Sequence, residues 1–243
     1  MKKVLITGAN KSIGFETAKQ LLALGYYVYL GSRDLQKGEE AAAQLNSPNV
    51  KAIQLDVNDD NSIVAARKTI GEDTDVLDVL INNAGISGGI PQKALETHLK
   101  TIREVFDTNF FAPIKMIEIF MDLLRQSNAP RIVNVTSGLG SITLHNDPSW
   151  KYYHVKSAAY GPSKSALNAY TTVLAYELRD EKKFKVNAVD PGYTATDFNH
   201  HSGPRGVVEA GEQIVKFATL GEDGPTGIFY STDNNPETGI SPW

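Results

Sequence analysis

The chain has 243 residues, enough for one large α/β domain or two small ones. Its composition is ordinary for a globular protein, and its net charge of −4 argues against nucleic acid or an anionic membrane as the main partner. The absence of cysteine removes disulfides and thiolate metal sites. No stretch approaches the roughly 18 apolar residues of a membrane span, so a cytoplasmic protein is expected.

Val4–Ile6 is a short apolar run ended by Thr7-Gly8, and the pattern from Ile13 to Leu24 is that of an amphipathic helix stopped by Gly25. Strand-like runs recur at Tyr26–Leu30, Lys51–Leu55 and Val76–Ile81, with helical patterns between them at Asp34–Leu45 and Asp60–Ile70. Leu95–Leu124 predicts two helices broken near Asn109 and Pro113. Ile114–Leu124 is apolar on more than one face, which calls for cover on both sides and suggests a partner subunit on one of them. Arg131–Val135 and Lys185–Val189 are further strands, and Gly227–Tyr230 a seventh. Helices are expected at Tyr160 to about Arg179 and about Val207–Thr219. This alternation predicts an α/β doubly wound fold: a mostly parallel seven-stranded sheet with helices on both faces, as one domain over residues 1–243.

Thr7-Gly8-Ala9-Asn10-Lys11-Ser12-Ile13-Gly14 joins the first strand to the first helix, where a dinucleotide pyrophosphate would rest on a helix N-terminus. By residue pattern alone it could equally be a plain β-to-α turn. An acid commonly stands about 20 residues on in NAD enzymes. Here the second strand ends Gly31-Ser32-Arg33, and Arg33 with Lys11 could clamp a ribose 2′-phosphate instead. The bland alternative is a solvated loop charge. Asp34 reads as the cap of the following helix.

Tyr160 and Lys164 lie four apart on a helix, one turn from each other. An ammonium beside a phenol favours the phenolate, so the pair suits acid–base work. Alone, the spacing also fits a surface pair. Pro162, in the first turn, fixes where that helix starts.

Together, Thr7-Gly8-x3-Ser12-x-Gly14, Asp56-Val57, Asn82-Asn83-Ala84-Gly85, Asn109, Ser137, Tyr160-x3-Lys164 and Pro191-Gly192 resemble the single-domain short-chain dehydrogenases/reductases. Within that family, Lys11 and Gly31-Ser32-Arg33-Asp34 are most similar to NADP(H)-dependent carbonyl reductases. Ser12 departs from the family's middle glycine. The 22 residues between Ser137 and Tyr160 exceed the family's usual dozen or so.

The resemblance implies a Rossmann-type fold, NADP(H) preferred over NAD(H), and Asn109, Ser137, Tyr160 and Lys164 as the catalytic four. Cofactor contacts would come from Gly8, Asn10, Lys11, Ser12, Ile13, Gly14, Arg33, Asp56, Val57, Asn83, Ala84, Gly85, Tyr160, Lys164, Pro191, Gly192, Thr194 and Thr196. In that scheme Tyr160 donates a proton, Ser137 holds the carbonyl oxygen, Lys164 lowers the tyrosine pKa, and Asn109 keeps a water in line with Lys164. Ser137 and Asn109 could otherwise be caps, and Lys164 a surface residue.

The expected pocket wall is Ile86, Leu139, Leu144, Trp150, Tyr153, Tyr193 and Phe198, mostly apolar, which points to a hydrophobic ketone or aldehyde. A 3-oxoacyl- or steroid-type reductase is the alternative within the family, and a non-catalytic NADP-binding regulator outside it. His200-His201 lacks a third ligand nearby, so no metal is expected. A homo-oligomer, dimer or tetramer, is expected rather than a monomer, although the insert before Tyr160 could block that face.

Overall fold

The computed structural model describes residues 1–89, 91–181 and 183–243. Strands β1 (Lys3–Ile6), β2 (Tyr27–Ser32), β3 (Val50–Gln54), β4 (Val79–Asn82), β5 (Arg131–Val135), β6 (Lys185–Val189) and β7 (Phe229–Tyr230) form one sheet in the order β3-β2-β1-β4-β5-β6-β7. Every strand pair is parallel. The strands are short because both faces are buried and each need only cross one core layer. Successive side chains alternate between faces: Leu5, Tyr29, Leu80 and Ile132 face one cluster, whereas Val4, Ile6, Val28, Leu30 and Val133 face the other.

Helices α3 (Asp60–Asp73), α5 (Ala112–Arg125) and α7 (Tyr160–Glu177) cover the first face. Helices α1 (Ser12–Ala23), α2 (Leu35–Leu45) and α8 (Val207–Ala218) cover the second. Helix α4 (Leu99–Phe106) precedes α5, and a single-turn helix α6 (Ile142–His145) lies in the insert before α7. Asp34 caps α2 by accepting from the Lys37 N–H at 3.2 Å. Burying a side chain such as Phe120, Leu5 or Ile63 in these layers is worth about 1.5–3 kcal/mol each.

Two expectations about the α4–α5 region change. The chain does not break near Asn109. Instead α4 runs through a π-helical turn, Asp107–Phe111, into α5. Pro113 has no N–H to return to the Asn109 carbonyl four residues back, and the helix widens there rather than ending. Helix α5 also finds its second cover within the same chain. Met116, Ile117, Phe120, Leu123 and Leu124 pack with Ile63 and Ile70 of α3 and Leu174 of α7. The apolar character of α5 therefore needs no partner subunit. Among the described residues, no helix is long and apolar enough to cross a membrane.

The strand order reverses between β1 and β4, whose crossovers leave in opposite directions. That leaves a crevice at their C-terminal ends, where such sheets bind ligands.

Candidate active site

Thr7 and Asn83 hold the two lips of this crevice together. The Thr7 hydroxyl accepts from the N–H groups of Asn83 (3.0 Å) and Ala84 (2.9 Å). The Asn83 amide donates back to the carbonyls of Thr7 (2.9 Å) and Gly8 (3.1 Å). These bonds use up the Asn83 donors, so its side chain serves the scaffold. Glycine is required at two places. Gly8 has φ +63°, and Gly14 could not carry a Cβ, which would lie 2.6 Å from Asn83 Nδ2 and 2.7 Å from the Gly8 carbonyl. Ser12 sits at φ +53°, a left-handed conformation that a glycine would adopt without strain. Its substitution for the family's glycine keeps the backbone path and adds a hydroxyl at the head of α1, beside Asn10 and the half-buried Ile13.

At the far end of this cradle Arg33 is exposed and makes no salt bridge or side-chain hydrogen bond among the described residues. Lys11 is engaged elsewhere: its ammonium pairs with Asp197 at 2.8 Å, and Asp197 also meets His201 at 3.0 Å. Both members of the Lys11 pair are exposed, so the bridge is weak and displaceable. Asp56 Oδ1 accepts from the Asn58 N–H at 3.0 Å, and Val57 lies half-buried alongside. On the opposite side, buried Pro191, Thr194 and Thr196 flank Gly192, whose φ of +83° turns the chain under the Arg205 guanidinium. A glycine turn with no room for added side chains at the head of a helix fits a dinucleotide pyrophosphate.

Tyr160, Lys164, Ser137 and Asn109 converge where β4 and β5 end. Lys164 is 4% exposed, donates to the Val135 carbonyl at 2.8 Å, and lies 5.9 Å from the centre of the Tyr160 ring. Gly85 leaves it room, since a Cβ there would stand 3.6 Å from the ammonium and 3.2 Å from Asn109 Oδ1. Asn109 commits both of its side-chain donors. Its amide donates to the Ile86 carbonyl (2.9 Å) and the Ser163 hydroxyl (3.1 Å), and its oxygen accepts from the Ile86 N–H (2.9 Å). The amide thus braces Ile86 against α7, and it has no donor to spare for a water. The Ser137 hydroxyl accepts from the Leu139 N–H at 3.2 Å and stands close enough to the Tyr160 phenol to favour its ionised form.

Burial governs the electrostatics here. It pushes the Tyr160 phenol up, against the pull of the neighbouring Ser137 hydroxyl, and pushes the Lys164 ammonium down to about 8. The lowering of the tyrosine by Lys164 expected from their spacing is not the dominant effect in the chain without cofactor. Asp190 is a third buried group. Burial raises its carboxyl to about 6, although the Ser231 hydroxyl (2.6 Å) and Gly192 N–H (3.0 Å) bond the ionised form. The spacing rules did not single out Asp190; its only signal was a lone acid between the apolar end of β6 and Pro191-Gly192.

The expected wall residues divide. Phe198 packs its ring 5.4 Å from that of Tyr160, and Leu139 follows Ser137 in chain and space. Leu144 lies half-buried on α6. Ile86 borders a cleft of about 650 Å³ with Val57, Thr108 and Phe111. Trp150 is not an open wall: it is 8% exposed and wedged edge-on between His145 and Tyr152, as the core of the insert. Tyr153 packs on His154 under the Lys156 ammonium. Tyr193 faces a separate cleft of about 450 Å³ with Tyr152, Arg205 and Asp233. There Asp233 accepts from Arg205 (2.7 Å), Tyr152 (3.1 Å) and the Tyr193 N–H (3.0 Å), which ties the insert to the loop after β6. Nothing in the local pattern of Thr232-Asp233-Asn234 announced that junction.

Known proteins share this architecture. The short chain dehydrogenase family pattern matches residues 2–205. A short-chain dehydrogenase, anuI, of Penicillium roqueforti is 40% identical over 226 residues, 90% of this chain and 88% of that one. A (+)-neomenthol dehydrogenase of Capsicum annuum is 31% identical, covering 93% of this chain and 94% of that one. Among solved structures, an NADPH-bound carbonyl reductase from chicken fatty liver superposes with a TM-score of 0.85 at 28% identity, over 100% of this chain and 99% of that one. The match of family pattern, relatives and crevice geometry leads to one conclusion: the chain belongs to the short-chain dehydrogenase family.

Proposed function

We propose that the chain is an NADP(H)-dependent carbonyl reductase, a single catalytic domain that reduces a hydrophobic ketone or aldehyde to an alcohol. The observation that carries this reading is the Tyr160 phenol beside the Ser137 hydroxyl, with the buried Lys164 ammonium 5.9 Å from the centre of its ring and the glycine turn lining the same crevice. The names of the pepper dehydrogenase and the chicken reductase support a carbonyl substrate and a nicotinamide cofactor. Arg33, unpaired among the described residues, supports the 2′-phosphate.

NADPH, held by the glycine turn of residues 8–14 and Arg33, would supply the hydride for the carbonyl carbon. Ser137 bonds the carbonyl oxygen and stabilises its developing charge. Tyr160 gives that oxygen its proton. The phenol arrives protonated, and because burial makes it a weaker acid, giving up that proton depends on Ser137 and Lys164 to favour the phenolate. Lys164 stabilises the phenolate left behind, and Asn109 holds Ile86 and α7 in register around it. Phe198 and Leu139 offer the substrate apolar surface. A dimer or tetramer through the exposed Phe111, Val173 and Tyr176 belongs to the same reading, and light scattering tests it.

The experiment is NADPH oxidation with an aryl ketone on wild type and Tyr160→Phe. The variant is expected to lose at least about a thousandfold in kcat while still binding NADPH. Undiminished turnover would overturn the acid role. Turnover of 3-oxoacyl thioesters or steroids alone would favour those substrates over simple ketones.

A further inference from the structure

We propose that Gln92, helped by Ser157, caps helix α7 from outside and thereby sets the position of the Tyr160 phenol. Gln92 is thus a positioning residue, and the inference rests on the acid role proposed for Tyr160.

The first N–H groups of a helix have no partner within it, and a Ser, Thr, Asp or Asn just before the first turn ordinarily supplies one. Helix α7 begins at Tyr160, and the residue before it is Ala159, which has no acceptor in its side chain. Pro162 brings no N–H. The donors at the helix head are therefore those of Ala159, Tyr160 and Gly161. Gln92 Oε1 accepts from Ala159 and Tyr160, both at 3.1 Å. The Ser157 hydroxyl accepts from Gly161 at 2.7 Å.

Gln92 is held as firmly as it holds. It is 5% exposed, although it sits in the long loop between β4 and α4. Its carbonyl accepts from the Ala158 N–H at 3.1 Å, and its backbone pairs in parallel with Ser157. Its side-chain amide donates to the Ser87 carbonyl. Ser87 follows Gly85 and Ile86, which lie against Lys164 and Asn109. One side chain therefore joins the loop leaving β4 to the backbone N–H of Tyr160. A local cap at residue 159 would satisfy the helix but leave it free to shift relative to that loop. The buried cap from Gln92 couples the two, and a shift of a few tenths of an ångström in the phenol would be felt at the reacting atoms.

The test uses the full chain with NADPH and an aryl ketone, and Gln92→Met, which keeps the volume and removes the polar atoms. We expect kcat to fall about 10- to 100-fold with the NADPH dissociation constant changed less than about threefold. Gln92→Glu, whose carboxyl, kept protonated by burial, can accept from the same two N–H groups and donate to the Ser87 carbonyl, should recover kcat to within about threefold of wild type. A kcat in Gln92→Met within threefold of wild type, or an equal loss in Gln92→Glu, overturns the proposal. Should Gln92→Met not fold, Ser157→Ala decides: a loss of about tenfold or more in kcat with NADPH affinity kept supports the external cap, and an unaltered kcat overturns it. Tyr160→Phe runs in parallel. Activity surviving there sinks the acid role itself, whereas an inactive Tyr160→Phe beside a fully active Gln92→Met sinks the positioning role alone.

Discussion

On the β1–β4 side of the crevice, Gly8, Gly14, Asn83 and Ala84 meet at backbone distances, with no space for one added carbon. On the insert side, Tyr160 meets Phe198 ring to ring at 5.4 Å, and Trp150, Tyr152 and Tyr193 stack edge-on in a row. The first region is held by hydrogen bonds from the Thr7 and Asn83 side chains to backbone groups and tolerates almost no substitution. The second is held by side chains on loops, which can be exchanged while the sheet stays put. A constant cofactor belongs with the first construction and a variable substrate with the second.

Gly14→Ala should break the rigid side most severely. The new methyl would overlap Asn83 Nδ2 and the Gly8 carbonyl, so we expect about 2–4 kcal/mol of lost stability and at least about a hundredfold weaker NADPH binding. Thermal melting with and without NADPH measures both. A melting temperature equal to wild type would show that the turn has slack.

Arg33→Asp leaves the cradle intact and changes only its charge. It should lower the NADPH-over-NADH preference in kcat/KM by about a hundredfold. An unchanged preference would move phosphate recognition from Arg33 to another group.

Asp190→Asn tests the floor between the two regions. Burial raises the Asp190 carboxyl to about 6 from an ordinary 3.8, so ionising it costs the folded chain about 3 kcal/mol. That penalty is fully present above pH 6 and is relieved as pH falls through 6 toward 4. Asparagine removes the charge and can still accept from Gly192 and donate to Ser231. The variant should be more stable than wild type by about 1–3 kcal/mol at pH 7.5, with the difference fading near pH 4. Denaturation at both pH values checks this, and a variant less stable at pH 7.5 would show that the ionised carboxylate is worth more than its burial costs.

The mildest change is on the adaptable side. Phe198→Ala uncovers the Tyr160 ring and should raise the ketone KM about 3- to 10-fold with kcat nearly kept. A large fall in kcat instead would make Phe198 part of the chemistry rather than of the wall.

Much of the rigid side was legible in the residue pattern. The alternation of short apolar runs with helical ones predicted the sheet, and Gly8, Gly14 and Asp34 stand in the turn and cap they were expected to form. The adaptable side was not. Trp150, expected in the pocket wall, is a buried brace, and Tyr193, expected in the same wall, borders another cleft. The insert has no hydrophobic period, so nothing local reveals which aromatic faces inward. The Lys11 bridge to Asp197, 186 residues away, likewise has no local signal.

Local chemistry was therefore enough for the kind of protein this is. A tyrosine and a lysine one helical turn apart, and a glycine turn between strand and helix, depend on covalent geometry and helical period, which any stretch of chain carries with it. What packing alone established is how those groups behave. The ammonium of Lys164 drops to about 8 because sheet and helix exclude water from it. The head of the Tyr160 helix is capped by a glutamine 68 residues earlier in the chain. Contacts between residues so far apart exist only once the two core layers have closed, and no spacing rule along the chain can anticipate them.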